Sequence, residues 1–117
     1  MVGLRRWARF VSLFMKGSTK DRNFVVLGGA GTIGRIVGRD LFESHPKNSI
    51  LIADFNESAA WKASIAFRSL RVRAAYADAT QVNELVRVLR GHSVVVNCTQ
   101  HHFNLNVMQA ALAAKVH

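Results

Sequence analysis

The stretch Phe24–Gly34, FVVLGGAGTIG, decides the fold. Four apolar residues suit a buried parallel strand, and Ile33, Ile36, Val37 and Leu41 then recur at helical spacing, so the glycines occupy a strand-to-helix junction. Such a junction holds the pyrophosphate of a dinucleotide. Gly29 is expected to make the tight turn, Gly31 to let the backbone approach the phosphates, and Gly34 to allow close helix–strand packing. The free amides of the helix start, over Ala30, Thr32 and Ile33, complete the cradle.

A glycine pattern alone is weak, so the remainder of the unit has to be found. A second apolar run, Ser49 to Ala53, ends in Asp54, twenty residues beyond Gly34, where an acid reaches the adenosine ribose hydroxyls. Asp54 also has a plainer reading, as a cap for the next helix. The glycine spacing is itself double: Gly29, Gly31 and Gly34 fit GxGxxG, whereas Gly28, Gly31 and Gly34 fit GxxGxxG, which resembles extended short-chain dehydrogenases.

The chain has 117 residues, half of them hydrophobic, enough for one compact core. No apolar run approaches the ~20 residues needed to cross a bilayer. Cys98 is the only cysteine, which excludes an internal disulfide and suits a reducing compartment; beside Val94–Val96 it reads as a small core residue. The expected location is therefore cytoplasmic. The net charge of +9 is uneven, because residues 1–22 hold six of the sixteen Lys and Arg but one of the seven acidic residues. The remaining arginines lack the aromatic interleaving of a nucleic-acid platform, so no nucleic-acid partner is expected.

Residues 1–22 form a basic extension. Arg5, Arg9, Ser12 and Lys16 share one helical face, and Leu4, Trp7, Val11, Phe14 and Met15 lie away from it. The pattern resembles an organelle presequence, implying a mitochondrial location if it is one. It reads also, and more plainly, as an upstream extension, with Met15 as the true start. The folded domain is expected over residues 23–117.

Beyond Asp54 the pattern alternates helix and strand. Asn56 is placed to cap a helix carrying Ala60, Trp61, Ile65 and Phe67, with Trp61 in the core. Residues 70–76 alternate Arg71 and Arg73 with Val72 and Ala74, as an edge strand does when charge blocks pairing with another chain. Thr80 is expected to cap a helix with the stripe Val82, Leu85, Val86 and Leu89, ending at Gly91. Residues 93–98 read as a fourth strand covered on both faces. A last helix places Leu105, Met108 and Leu112 on one face. The expected fold is α/β, a Rossmann-type doubly wound parallel sheet of order 3-2-1-4, truncated after the fourth helix.

Ligand is expected beyond the C-terminal ends of the strands. Asp78 meets the adenine or its ribose there, or caps the helix that follows. Asn97, Thr99 and Gln100 are placed for the nicotinamide ribose. His101 and His102 suggest a metal or acid–base group, but adjacent side chains diverge and no third ligand lies at metal spacing, so no metal is expected and a solvated loop is the plainer reading.

Taken in order, VVLGGAGTIGR, ILIADFN, ADAT and VVVNCTQHHFNLNVMQAALAAKVH resemble the N-terminal cofactor domain of the saccharopine dehydrogenase family, including lysine dehydrogenase-like members. The resemblance covers residues 23–117 and is most specific over Val94–His117. It implies an NAD(P) site lined by Gly29, Ala30, Gly31, Thr32, Ile33, Gly34, Asp54, Phe55, Asp78, Ala79 and the turn Asn97, Cys98, Thr99 and Gln100. It also implies oxidation of a small amino-acid substrate at a C–N bond. Phe55 stands where family members often carry an arginine. Because Asp54 repels a 2′-phosphate and bonds a 2′-hydroxyl, NAD is the expected cofactor, with NADP second.

The family continues past the position of His117 into a fifth strand and a substrate domain. The chain is thus expected to be the cofactor-binding fragment of an oxidoreductase, without catalytic residues and homodimeric through an uncovered fourth strand. A stand-alone NAD-sensing module is the alternative. A short-chain dehydrogenase fragment fits less well, because Tyr76 has no lysine at the required helical spacing.

Overall fold

Strand β1 (Phe24–Leu27) lies inside the sheet because all four of its residues are apolar and it has a strand on either side. In the computed structural model, which describes residues 23–117, β2 (Ile50–Asp54) pairs with it in parallel, from Phe24↔Ile50 to Leu27↔Ala53. On the other side β4 (Val94–Asn97) pairs from Phe24↔Val94 to Leu27↔Asn97. Strand β3 (Val72–Tyr76) lies outside β2, so the order is β3-β2-β1-β4, as expected. The readings of residues 1–22 fall outside the described residues.

Two layers of helices cover the sheet, and the period-two alternation of β1 assigns its residues to them. Phe24 and Val26 pack with Val37 and Leu41 of α1 (Thr32–Ser44) and with Ala60 and Ala63 of α2 (Glu57–Ile65). Val25 and Leu27 pack with Leu85 and Leu89 of α3 (Val82–Leu89) and with Val107 and Ala110 of α4 (Asn104–Ala114). Each fully buried Leu or Ile contributes roughly 1.5–3 kcal/mol through its lost apolar surface. Asn56 caps α2 as its sequence position implies, its Oδ1 accepting the Ala59 N–H at 3.0 Å.

Several side chains depart from the sequence reading. Trp61 is not in the core: it is 58% exposed, because α2 faces the sheet with Ala60, Ala63 and Ser64, and these small residues bring the helix too close for an indole. Ile33 is exposed as well, since the buried stripe of α1 runs through Gly34, Val37, Gly38 and Leu41. Thr80 is not a cap. The helix starts after Gln81, and the Thr80 hydroxyl instead donates to Asp78 Oδ1 at 2.7 Å.

The two charged residues expected on the edge strand separate. Arg73 is exposed on β3, whereas Arg71, just before it, turns inward. Its Nη1 donates to the carbonyls of His45 (3.0 Å) and Asn48 (2.7 Å), and its Nη2 to that of Phe42 (3.1 Å). The guanidinium also lies 4.1 Å from the centroid of the Phe42 ring. Carbonyls at a helix C-terminus lack intrahelical partners and carry its negative pole, so a cation fits there.

Strand β4 is an edge of the sheet, yet both its faces are covered as expected: Val94 and Val96 are buried on the side of α1 and α2, and half-buried Val95 packs on the side of α3 and α4. Its outer edge is not wholly uncovered either. His117 donates its N–H to the Ser93 carbonyl (3.1 Å) and accepts the Val95 N–H (2.7 Å), lying along β4 as a parallel neighbour does. On α4 the stripe Leu105, Met108 and Leu112 faces outward, 61–80% exposed, and the sheet receives Val107 and Ala110.

Candidate functional site

The C-terminal ends of the strands open into a cleft of about 570 Å³. Its floor is the glycine turn after β1, and its walls are the turns after β2, β3 and β4. Eight residues singled out from sequence line it: Gly31, Asp54, Phe55, Asp78, Ala79, Cys98, Thr99 and Gln100. Four different segments supply them, so the parallel order of the sheet is what brings them together.

The tight turn belongs to Gly28, not to Gly29. Gly28 has φ +72°, a left-handed conformation, and a Cβ there would lie 2.7 Å from the Cys98 carbonyl oxygen. Gly29 serves packing, since its Cβ would meet Ile52 Cγ2 at 2.8 Å. Gly34 lets α1 press against the turn, where an added Cβ would collide with the Gly28 carbonyl and lie 2.6 Å from Gly29 Cα. The operative spacing is therefore Gly28, Gly31, Gly34. At Gly31 a Cβ would meet only the Gly28 carbonyl oxygen, at 3.4 Å, so the space above this residue is open to the cleft.

Gly31 is also the N-cap of α1, and no side chain caps that helix. The amides of Thr32, Ile33 and Gly34 are thus offered as an anion site at the positive pole of a thirteen-residue helix. Thr32, Ile33, Gly34, Gly29 and Ala30 stand behind or beside the cleft lining. Asp54 ties the turn down: its Oδ2 accepts the Ala30 N–H at 3.0 Å and its Oδ1 the Asn56 N–H at 3.0 Å. Asp54 does not cap the next helix, whose N-cap is Asn56; its carboxylate fixes the turn before that helix and still borders the cleft.

On the third wall Asp78 Oδ1 accepts the Thr80 hydroxyl (2.7 Å) and the Thr80 N–H (2.9 Å). Those bonds, the hydroxyl's foremost, hold the Asp78 carboxyl below its ordinary range and keep it ionised. On the fourth, Asn97 does not line the cleft. Its Oδ1 accepts both the N–H (3.0 Å) and the hydroxyl of Thr99, and its Nδ2 donates to Asn104 Oδ1 at 2.8 Å. It fastens the turn to the start of α4 and leaves Cys98, Thr99 and Gln100 facing the ligand space. Burial pushes the Cys98 thiol up to about 11, so it is a neutral wall group and not a nucleophile.

Gly28, Thr80 and Phe103 also line the cleft; the sequence reading gave Gly28 only in the alternative spacing and Thr80 only as a cap, and it missed Phe103. The Gly28 spacing was visible; Phe103 carried no signal, since a short 3₁₀ turn over His101–Phe103 aims it inward. His101 and His102 are exposed on that turn. Among the described residues no three His, Cys, Asp or Glu gather where a metal ion fits, and no helix is long and apolar enough to cross a membrane.

The family model for the saccharopine dehydrogenase NADP binding domain matches residues 24–117, nearly all of the described chain. The chain belongs to this family. Its open Gly31 cradle, uncapped α1 and acid-bordered cleft fit a dinucleotide, and NAD(P) binding is the property the family confers. Among solved structures the chain is similar to apo saccharopine dehydrogenase (L-Glu forming) from Saccharomyces cerevisiae, at 22% identity and TM-score 0.70, covering 81% of this chain and 20% of that one. It is similar to triphenylmethane reductase from Citrobacter sp., at 22% identity and TM-score 0.68, covering 80% and 34%. It is also similar to the dTDP-glucose 4,6-dehydratase DesIV from Streptomyces venezuelae, solved with NAD bound, at 24% identity and TM-score 0.66, covering 80% and 37%. At these identities the likeness shows the fold. This chain spans between a fifth and about a third of each.

Proposed function

We propose that this domain serves an oxidoreductase that oxidises an amino-acid substrate at a C–N bond. The carrying observation is the family match over residues 24–117, in which the specific segment Val94–His117 builds the fourth wall of the cleft. The saccharopine dehydrogenase among the similar structures, L-Glu forming by its description, supports the substrate class. When bound, the dinucleotide supplies the hydride acceptor. The chain's own work is to hold phosphates at the α1 amides, to fix the ribose at Asp54, and to wall the nicotinamide end with Thr99 and Gln100. A cytoplasmic or mitochondrial setting is part of the proposal, supported by the single thiol.

Self-association along the β4–α4 side is proposed too, supported by the exposed Leu105, Met108 and Leu112 on a helix with no charged residue. The substrate reading is tested on the full-length protein with a panel of L-amino acids and their N-substituted derivatives, following NAD(P)H absorbance. Turnover confined to amino or imino acids supports it. Turnover of sugar nucleotides or dyes, with none of amino acids, overturns it.

A further inference from the structure

Of the large apolar side chains exposed among the described residues, Phe55 alone lines the cleft, and it is 68% exposed. Its ring belongs to neither core cluster, so burial within the domain does not account for its place. The backbone that carries it is nonetheless fixed on both sides. Asp54 Oδ1 accepts the Asn56 N–H at 3.0 Å, closing a turn across Phe55, and the Asp54 carbonyl accepts the Ala77 N–H at 3.0 Å.

A second ring sets the first. Tyr76 stands opposite Asp54 in the register of β2 and β3, and its ring lies 5.8 Å from that of Phe55 at an interplanar angle of 45°, within the range of an aromatic pair. The pair leaves ring surface uncovered next to the carboxylate that reads the adenosine ribose, where the base carried by that ribose must lie. Among the described residues no Lys, Arg or His lines the cleft. Where family members often carry an arginine, this chain therefore meets the base with an uncharged ring, and a purine offers such a ring its flat face.

We propose that Phe55 is the stacking platform for the adenine base and Tyr76 the positioning residue that sets its ring, so that the cleft holds the adenosine half, and adenine nucleotides that lack nicotinamide, by stacking in place of charge. The inference rests on the dinucleotide reading of the cleft and deepens it.

The test is calorimetric titration of NADH, ADP-ribose and AMP into the full chain and its Phe55→Ala, Phe55→Leu, Phe55→Tyr and Tyr76→Ala variants, with thermal melts to confirm folding. The parent is expected to bind all three. Phe55→Ala should weaken each by the same factor, about tenfold, because all three share the base. Phe55→Leu, apolar but without a ring, should stay close to Phe55→Ala, whereas Phe55→Tyr should stay within about twofold of the parent. Tyr76→Ala should weaken binding about threefold in the parent and no further once Phe55→Ala is present, because it acts through that ring. Unchanged affinity in Phe55→Ala, weakening of NADH without ADP-ribose, or Phe55→Leu as good as Phe55→Tyr overturns the platform while leaving the dinucleotide site standing. A parent that binds none of the three overturns the dinucleotide site and this inference together.

Discussion

Gly31 and Gly34 sit three residues apart in one turn, yet a side chain would meet opposite surroundings at each. At Gly31 a Cβ has open space apart from one oxygen at 3.4 Å, so Gly31→Val should leave the fold intact and obstruct the ligand. Calorimetry is expected to show NADH binding lost with the melting temperature nearly unchanged; normal NADH binding by this variant would refute the phosphate-turn reading. At Gly34 a Cβ collides with backbone, so Gly34→Ala should lower stability itself. Cys98 gives a second residue-scale prediction. Its thiol ionises only near 11, so labelling by iodoacetamide at neutral pH should be slow, and should accelerate as pH climbs toward that value. The sign follows from burial: the folded state prefers the neutral thiol, so this group stabilises the fold less as pH rises above the ordinary value of 9.0 toward 11. Fast labelling at neutral pH would mean the wall around Cys98 is open.

At the scale of elements, the connection from α1 to β3 depends on Arg71. Three carbonyls and the Phe42 ring share one guanidinium, so Arg71→Ala removes three hydrogen bonds that tie the end of α1 and the loop after it to β3. A loss of about 2 kcal/mol is expected, read from urea unfolding, and Arg71→Lys should restore only part of it because an ammonium lacks the planar fork. A loss below about 0.5 kcal/mol would show that water replaces the guanidinium. The alternation of residues 70–76 announced an edge strand, and β3 is one. Alternation does not say which arginine faces solvent, because Arg71 precedes the strand and answers to the end of a helix distant in sequence.

For the whole molecule, the side formed by β4 and α4 stands out. Leu105, Met108 and Leu112 are exposed on an uncharged helix next to an edge strand whose outer side bonds to His117 at two points. The expected outcome is reversible self-association, visible as a concentration-dependent mass in light scattering and reduced by Leu112→Glu. A strictly monomeric species at high concentration would remove the proposal. The helical spacing of these three residues was legible from sequence, but spacing marks only that they share a face. Which face meets the sheet is settled by the competing stripe of Val107 and Ala110, small enough for close packing.

The sequence by itself determined the order of elements, the parallel sheet, the Asn56 cap and the cofactor class. These follow from local signals: apolar runs long enough for buried strands, glycines at fixed offsets, and an acid at the end of the second strand. Only the tertiary structure decided that Gly28 makes the turn, that Asn97 fastens a loop instead of lining the cleft, and that Asp54 holds the Ala30 amide. Those facts depend on which backbone atoms approach from elsewhere in the chain, as the Cys98 carbonyl approaches Gly28 and Asn104 approaches Asn97. The periodicity of one segment carries no record of the partner it will meet.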